Sequence, residues 1–315
     1  MSEPGASGVP ALSENGAAGD HDEADVLGSS FWKGWPCKWM KKNILRYKDK
    51  KEKKEAVMPV PKHALFYKMD HKNRGVAVIL NHENFMTNMK LKSRAGTNVD
   101  SEQLEKSLRR LGFQIESHYD LTVEKINKVI ERVSELDHSD NDCFLLACLS
   151  HGEQGILYAN DAPYKPDTLW SRFTADKCPT LAGKPKLFFI QACQGDQLDA
   201  GVLLRSQVDS SPSYKIPAHA DFLIAYSTIP GFYSWRNTMR GSWFMQALCE
   251  EINEHGYTVD MLTLLTFVNR KVAVDFESNV PDNSVMHAQK QIPCITYMLT
   301  RVLKFSEKTE TNEVY

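Results

Sequence analysis

Residues 143–149 read Cys143-Phe144-Leu145-Leu146-Ala147-Cys148-Leu149, and residues 187–190 read Leu187-Phe188-Phe189-Ile190. Unbroken apolar runs of this length, without polar alternation, are the pattern of strands covered on both faces. Working outward, residues 76–80 form a β-branched apolar run. Leu104, Leu108 and Leu111 follow at helical spacing, with Asp100 and Ser101 as N-terminal caps. Thr122 stands where it can cap a helix whose apolar stripe is Val123, Ile126, Val129, Ile130 and Val133. Downstream, 243–252 reads as helix. So does 258–274, with Met261, Leu264, Leu265, Val268 and Val272 on one face, and 294–303 reads as a closing strand. Strands alternating with helices predict an α/β fold with a mainly parallel central sheet flanked by helices on both faces.

The remaining chain is unlike this core. Residues 1–30 hold six Asp or Glu and no Lys or Arg, together with Gly, Ala and Ser. Such a segment buries too little apolar surface to offset its ordering entropy, so a disordered acidic stretch is expected over 1–25. Between residues 31 and 55 the charge inverts, with ten Lys or Arg against three acids, and Trp32, Trp35 and Trp39 among them. A basic, aromatic flexible segment is expected over 26–58, either a solvated tail or a contact for an anionic membrane, nucleic acid or substrate, with no nucleic-acid or membrane partner assigned. Residues 196–217 are polar and aperiodic, and a loop of this length inside a domain is usually functional. It is expected to divide a larger part, 59–209, from a smaller one, 210–315.

Composition excludes other classes. No apolar run approaches the roughly 20 residues of a membrane span, and no secretory signal is evident. The seven cysteines include no Cys-x-x-Cys pair and are odd in number, as in a reducing compartment, so a cytoplasmic protein is expected. No phosphate-cradling glycine loop and no metal-ligand spacing occur, and no cofactor is expected. His138, near Asp137, Asp140 and Asp142, reads as part of a solvated turn.

Two strand ends carry chemistry. The first run leads into Ser150-His151-Gly152, the second into Gln191-Ala192-Cys193-Gln194-Gly195. In a wound sheet the crevice beyond the carboxyl ends of the strands is the usual reaction site. A thiol is mostly protonated at neutral pH, and an adjacent imidazole activates it. Gly152 lets its backbone N–H approach a carbonyl and, with the N–H of Cys193, form an oxyanion hole.

These two motifs make the sequence resemble the caspase family. Gln-Ala-Cys-Gln-Gly fits its active-site pentapeptide, with Gln194 where Arg is commonest, and His151 lies 42 positions upstream, against about 50 expected. The resemblance covers about residues 67–305 and implies a cysteine endopeptidase cutting after aspartate, a short-prodomain executioner of apoptosis. It assigns Arg94, in Ser93-Arg94-Ala95-Gly96-Thr97, and Arg236, in Tyr233-Ser234-Trp235-Arg236-Asn237, to a P1 pocket shared with Gln191, with Arg236 also holding the substrate backbone and Ser234 among the substrate-binding residues. Guanidinium forks match a carboxylate bidentately. Tyr233 and Trp235 would line the neighbouring apolar subsite, and Asn237 and Trp243 would shape the fourth and favour Asp there. The loop 278–286, with Pro281, carries fewer aromatics than the family pattern.

The resemblance further implies activation by cleavage at Asp209, with Asp199 a weaker competitor, and trimming at Asp25. It implies a carbonyl near Lys92 orienting His151, a homodimer of large and small subunit pairs, and protein substrates with exposed Asp-containing loops. An upstream initiator caspase and inhibitor-of-apoptosis proteins are the implied partners. The alternative is a catalytically silent binding protein of the same fold.

Overall fold

The computed structural model describes residues 56, 58–199 and 218–308. In chain order these form β1 (Val76–Asn81), α1 (Thr97–Arg110), β2 (Gln114–Tyr119), α2 (Val123–Glu135) and β3 (Phe144–Leu149), then the short β4 (Gly152–Glu153), β5 (Ile156–Tyr158) and β6 (Pro163–Tyr164). There follow β7 (Lys186–Gln191), β8 (Phe222–Tyr226), β9 (Arg236–Asn237), β10 (Gly241–Ser242), α3 (Trp243–His255), α4 (Met261–Asp275) and β11 (Cys294–Tyr297).

Six strands make one sheet in the order β11-β8-β7-β3-β1-β2. Every neighbouring pair is parallel except β11 with β8. The central strands β3 and β7 are buried at every position, as their unbroken apolar runs require. Alternate side chains serve two cores. On one face Ala77, Ile79, Leu145, Leu187 and Phe189 meet Leu104 and Leu108 of α1, Phe244 and Leu248 of α3, and Leu264 and Val268 of α4. On the other, Val78, Leu80, Leu146, Phe188 and Ile190 meet Ile126, Ile130 and Val133 of α2. Helices therefore cover both faces of a mainly parallel sheet, as predicted.

Local chemistry sets the helix boundaries. Thr122 accepts from the Lys125 amide and caps α2, and Asp260 accepts from the Leu262 and Thr263 amides and caps α4. The start of α1 differs from expectation. Gly96, at φ 90°, takes the N-cap position four residues before Asp100, so Asp100 lies inside the first turn and Asp100 and Ser101 do not cap the helix. The closing strand is shorter than 294–303, ending at Tyr297.

The His138 region is also corrected: it is no solvated turn. The His138 ring is buried, with Nε2 on the Val133 carbonyl and Nδ1 facing the Asn141 amide. Asp142 is fully buried and takes Arg74 Nη1 at 2.7 Å, Lys308 Nζ at 2.5 Å and His71 Nδ1 at 3.0 Å. Arg74 also donates to the Leu111 and Ser306 carbonyls. A buried carboxylate persists only when paired, and here the pairing fastens the C-terminal segment to the amino ends of β1 and β3.

Six free cysteines lie among the described residues, four of them buried as small hydrophobes. No described helix is long and apolar enough to cross a membrane.

Candidate active site

Strands β3 and β7 are neighbours in register, Leu149 opposite Gln191, and the Ser150 amide extends the pairing to the Gln191 carbonyl at 3.0 Å. His151 and Cys193 thus leave adjacent strands at one level, on the carboxyl side of the sheet. Gly152 is fixed by close approach. A Cβ there would stand 2.6 Å from the Cys193 carbonyl oxygen and 2.9 Å from Ala192 Cβ, so a larger residue would push the two loops apart. The Cys193 loop then docks on residues 228–233. Gln194 N donates to Phe232 O at 3.0 Å, Gly231 N to Gln194 O at 2.8 Å, and Gln197 N to Gly231 O at 2.9 Å. Ser227 closes the arrangement from below, its hydroxyl donating to Ala192 O and accepting from Ala192 N.

The imidazole of His151 has Nε2 at 2.8 Å from the Lys92 carbonyl oxygen. A carbonyl only accepts, so Nε2 carries the proton and Nδ1 keeps the lone pair of a base. The ring of Phe85 lies against it, centroids 5.0 Å apart. Burial lowers the His151 pKa below its ordinary 6.5, and the cationic Arg94 and Arg236 push the same way against the Lys92 bond. The Cys193 sulfur accepts from the Ser234 amide at 3.4 Å and faces the Ser234 carbonyl at 3.8 Å. Burial raises its pKa, opposed by that amide and the two arginines. Both shifts favour the neutral forms, the thiol and the imidazole.

The sign of the acid limb follows. With His151 as the base, its lowered pKa places the midpoint of the acid limb of kcat/KM for a short peptide below pH 6.5, the protonated imidazole being unable to take the thiol proton. An acid limb centred above pH 6.5 in the pH–rate profile would show that the imidazole pKa is raised rather than lowered.

Beside the sulfur lies a pocket of buried donors. Arg94 is fully buried, with Nη1 donating to His82 O at 2.9 Å and Thr97 Oγ1 at 2.7 Å. Its Nη2 has no hydrogen-bond partner among the described residues, and neither has Oε1 of the buried Gln191. An unpaired buried donor costs about 1–3 kcal/mol. Gln191 Nε2 donates to Ser234 Oγ at 2.8 Å, which donates on to Ser227 Oγ. A half-turn of the amide, with the Ser234 hydroxyl proton swung from Ser227 onto Oε1, would aim Nε2 into the pocket. Arg236 is held through Nε to the Ala95 carbonyl at 2.9 Å. Burial and the neighbouring Arg236 pull the Arg94 pKa down, though the guanidinium remains cationic at neutral pH. A buried cation with a free donor, beside the half-buried Arg236, makes a site that favours an anion.

Aromatic rings extend away from this pocket. Tyr233 lies 6.3 Å from Trp235, Trp235 stacks on Trp243 at 5.7 Å, and Trp243 on Phe276 at 5.5 Å. Trp243 is buried and backs Trp235. Asn237 Oδ1 accepts from the Met239 and Arg240 amides of the exposed turn that follows. Contacts thus link Gln191 and Cys193 to Ser234, Gly152 to the Cys193 loop, His151 to Lys92 and Arg236 to Ala95 next to Arg94, with Tyr233, Trp235 and Trp243 in a row. Asp25 and Asp209 lie outside the described residues.

Sequence reasoning missed Ser227, Phe85, Phe276 and Gln291. The last accepts from the Trp235 amide at 2.6 Å and donates to Ser227 O. A buried glutamine has no signature in a single sequence, since only its partners distinguish it from a surface one.

A thiol and a base joined to a pocket that attracts one small anion define a cysteine peptidase selecting an acidic residue. Residues 74–304 match the family model described as the caspase domain, and the chain belongs to the caspase family. It is 58% identical over 293 residues to Caspase-1 of Spodoptera frugiperda, covering 92% of each chain. It is 61% identical to Caspase drICE of Drosophila melanogaster over 81% of this chain and 77% of that one. The crystal structure of the Spodoptera Caspase-1 superposes with a TM-score of 0.76 at 62% identity, covering 81% of this chain and 98% of that chain. The protein is an aspartate-specific cysteine protease of the apoptotic class.

Proposed function

We propose that Cys193 is the nucleophile and His151 its general base, with the amides of Gly152 and Cys193 as oxyanion donors. Nδ1 of His151 takes the thiol proton as the sulfur attacks the carbonyl carbon of a P1 aspartate. The imidazolium then protonates the leaving amine, and water, deprotonated by His151, releases the acyl group. The P1 carboxylate sits between Arg94, Arg236 and a turned Gln191, with Ser234 bracing that amide. Tyr233 and Trp235, backed by Trp243, form the apolar wall for the next residue, and Asn237 favours Asp at P4. The observation that carries this reading is the unpaired Nη2 of buried Arg94 beside Cys193.

Activation follows by cleavage after Asp209 into a large (59–209) and a small (210–315) part, with trimming after Asp25. Asp199 is the poorer cleavage site because its carbonyl already accepts from the Lys290 amide at 3.1 Å. β11, the outer strand of the sheet, offers an edge for a second copy. Initiator caspases as activators, inhibitor-of-apoptosis proteins as ligands and a cytoplasmic location complete the reading. The test uses fluorogenic tetrapeptides varied at P1 (Asp, Glu, Asn, Arg) and P4, with sequencing of the new amino termini. Strong P1 Asp preference and a fragment beginning at Ser210 are expected. Turnover of P1 Glu or Arg at comparable rates would overturn the pocket assignment, and a fragment beginning at Ala200 would move the cut to Asp199.

A further inference from the structure

Asp100 is a fully buried carboxylate that contributes no cap to its own helix. Both its oxygens are spent on one residue of a distant segment. Oδ1 accepts from the Ser242 amide at 2.7 Å and Oδ2 from the Ser242 hydroxyl at 2.6 Å. Ser242 occupies the N-cap position of α3, where a serine hydroxyl ordinarily accepts from the first-turn amides, yet it makes no such bond. Its hydroxyl is diverted to Asp100. The preceding residue is fitted to the same contact. Gly241 has φ 91°, and a Cβ there would stand 2.2 Å from Asp100 Oδ1.

Ser242 and Gly241 form β10, paired with Arg236 and Asn237 of β9. Arg94 lies just before α1, its carbonyl accepting from the Thr97 amide that opens the helix. The carboxylate therefore joins the element that carries one pocket arginine to the element that orients the other.

We propose that Asp100 is a positioning residue for P1 recognition: it ties the β9–β10 ribbon to the first turn of α1, so that Arg236 and Arg94 converge on a single substrate carboxylate. This rests on the P1 pocket proposed above. Charge supports the geometry, because Asp100 is also a negative neighbour of both guanidiniums.

The test compares Asp100→Ala, Asp100→Asn and Ser242→Ala in the processed full-length protein. With a P1-Asp tetrapeptide, Asp100→Ala should raise KM about tenfold or more while kcat changes less than about threefold. Asp100→Asn should recover part of the loss, because its amide oxygen still accepts from the Ser242 backbone. Alkylation of Cys193 by iodoacetamide, which needs no pocket, should proceed at the unaltered rate. A wild-type KM in Asp100→Ala overturns the proposal. So does a fall in kcat and alkylation with KM unchanged, which would make Asp100 merely structural. If Asp100→Ala fails to fold, Ser242→Ala, which removes one of the two bonds, decides by whether KM rises. Arg236→Ala separates the two readings. If P1 Asp preference survives it, the pocket assignment falls; if preference is lost while Asp100→Ala behaves normally, only this proposal falls.

Discussion

Cys193→Ala should bring hydrolysis of a P1-Asp peptide to the uncatalysed background, a loss on the order of 10⁴-fold or more. The substitution is structurally mild. Among the described residues the sulfur makes two weak hydrogen bonds, at 3.4 and 3.8 Å to the Ser234 backbone, while the loop is held by backbone bonds to Gly231 and Phe232. Peptide binding should therefore persist, because Arg94, Gln191 and Arg236 are untouched. Progress curves and fluorescence anisotropy of a labelled peptide separate the two quantities. Retained turnover would move the nucleophile elsewhere. Lost binding along with lost turnover would show the variant loop to be misfolded.

Arg94→Met should lower kcat/KM for P1-Asp peptides by about 10²–10³-fold, corresponding to the roughly 3–4 kcal/mol typical of removing one partner from a buried charge pair. The effect on folding should be much smaller. The variant gives up bonds to His82 O and Thr97 Oγ1, but also removes a buried cation that repels Arg236 and leaves Nη2 unpaired. A urea midpoint close to wild type with severely reduced activity is the expected result, the usual price of a binding site. An equal loss on P1-Asn peptides, or a large drop in midpoint with KM preserved, would make Arg94 a structural residue.

The sequence revealed most about positions governed by burial. β3 and β7 were legible because the middles of strands covered on both faces are continuous apolar runs, in β7 Leu187 to Ile190 between the buried Lys186 and Gln191, and α2 because its stripe and Thr122 agree. β2 was not, since Gln114-Ile115-Glu116-Ser117-His118-Tyr119 lies at the sheet edge, where partial exposure removes the apolar signal. β8 was missed as well. Its run, Phe222-Leu223-Ile224-Ala225-Tyr226, is apolar, but it follows the aperiodic stretch that obscured where the fold resumes. Within the site, Cys193, His151 and the arginines sit in local motifs. The residues that hold them do not. Asp100 resembles an ordinary helix cap until Ser242, 142 positions away, is brought against it.

The sheet has a seam. Strands β2, β1, β3 and β7 come from residues before 200, while β8 and β11 come from residues after 217, and the two groups meet only along β7 and β8. Arg94 and Cys193 lie on one side of that division and Arg236 on the other. The Lys308–Asp142 and Tyr67–Asp221 contacts bridge it again at the far end. A severed chain would thus remain one particle, held by five strand pairings and a shared core, and either fragment expressed alone would be a half-sheet with half a recognition pocket. Separately produced fragments should be silent until they refold together, which makes the enzyme divisible into two inert parts that regain aspartate recognition only as a pair.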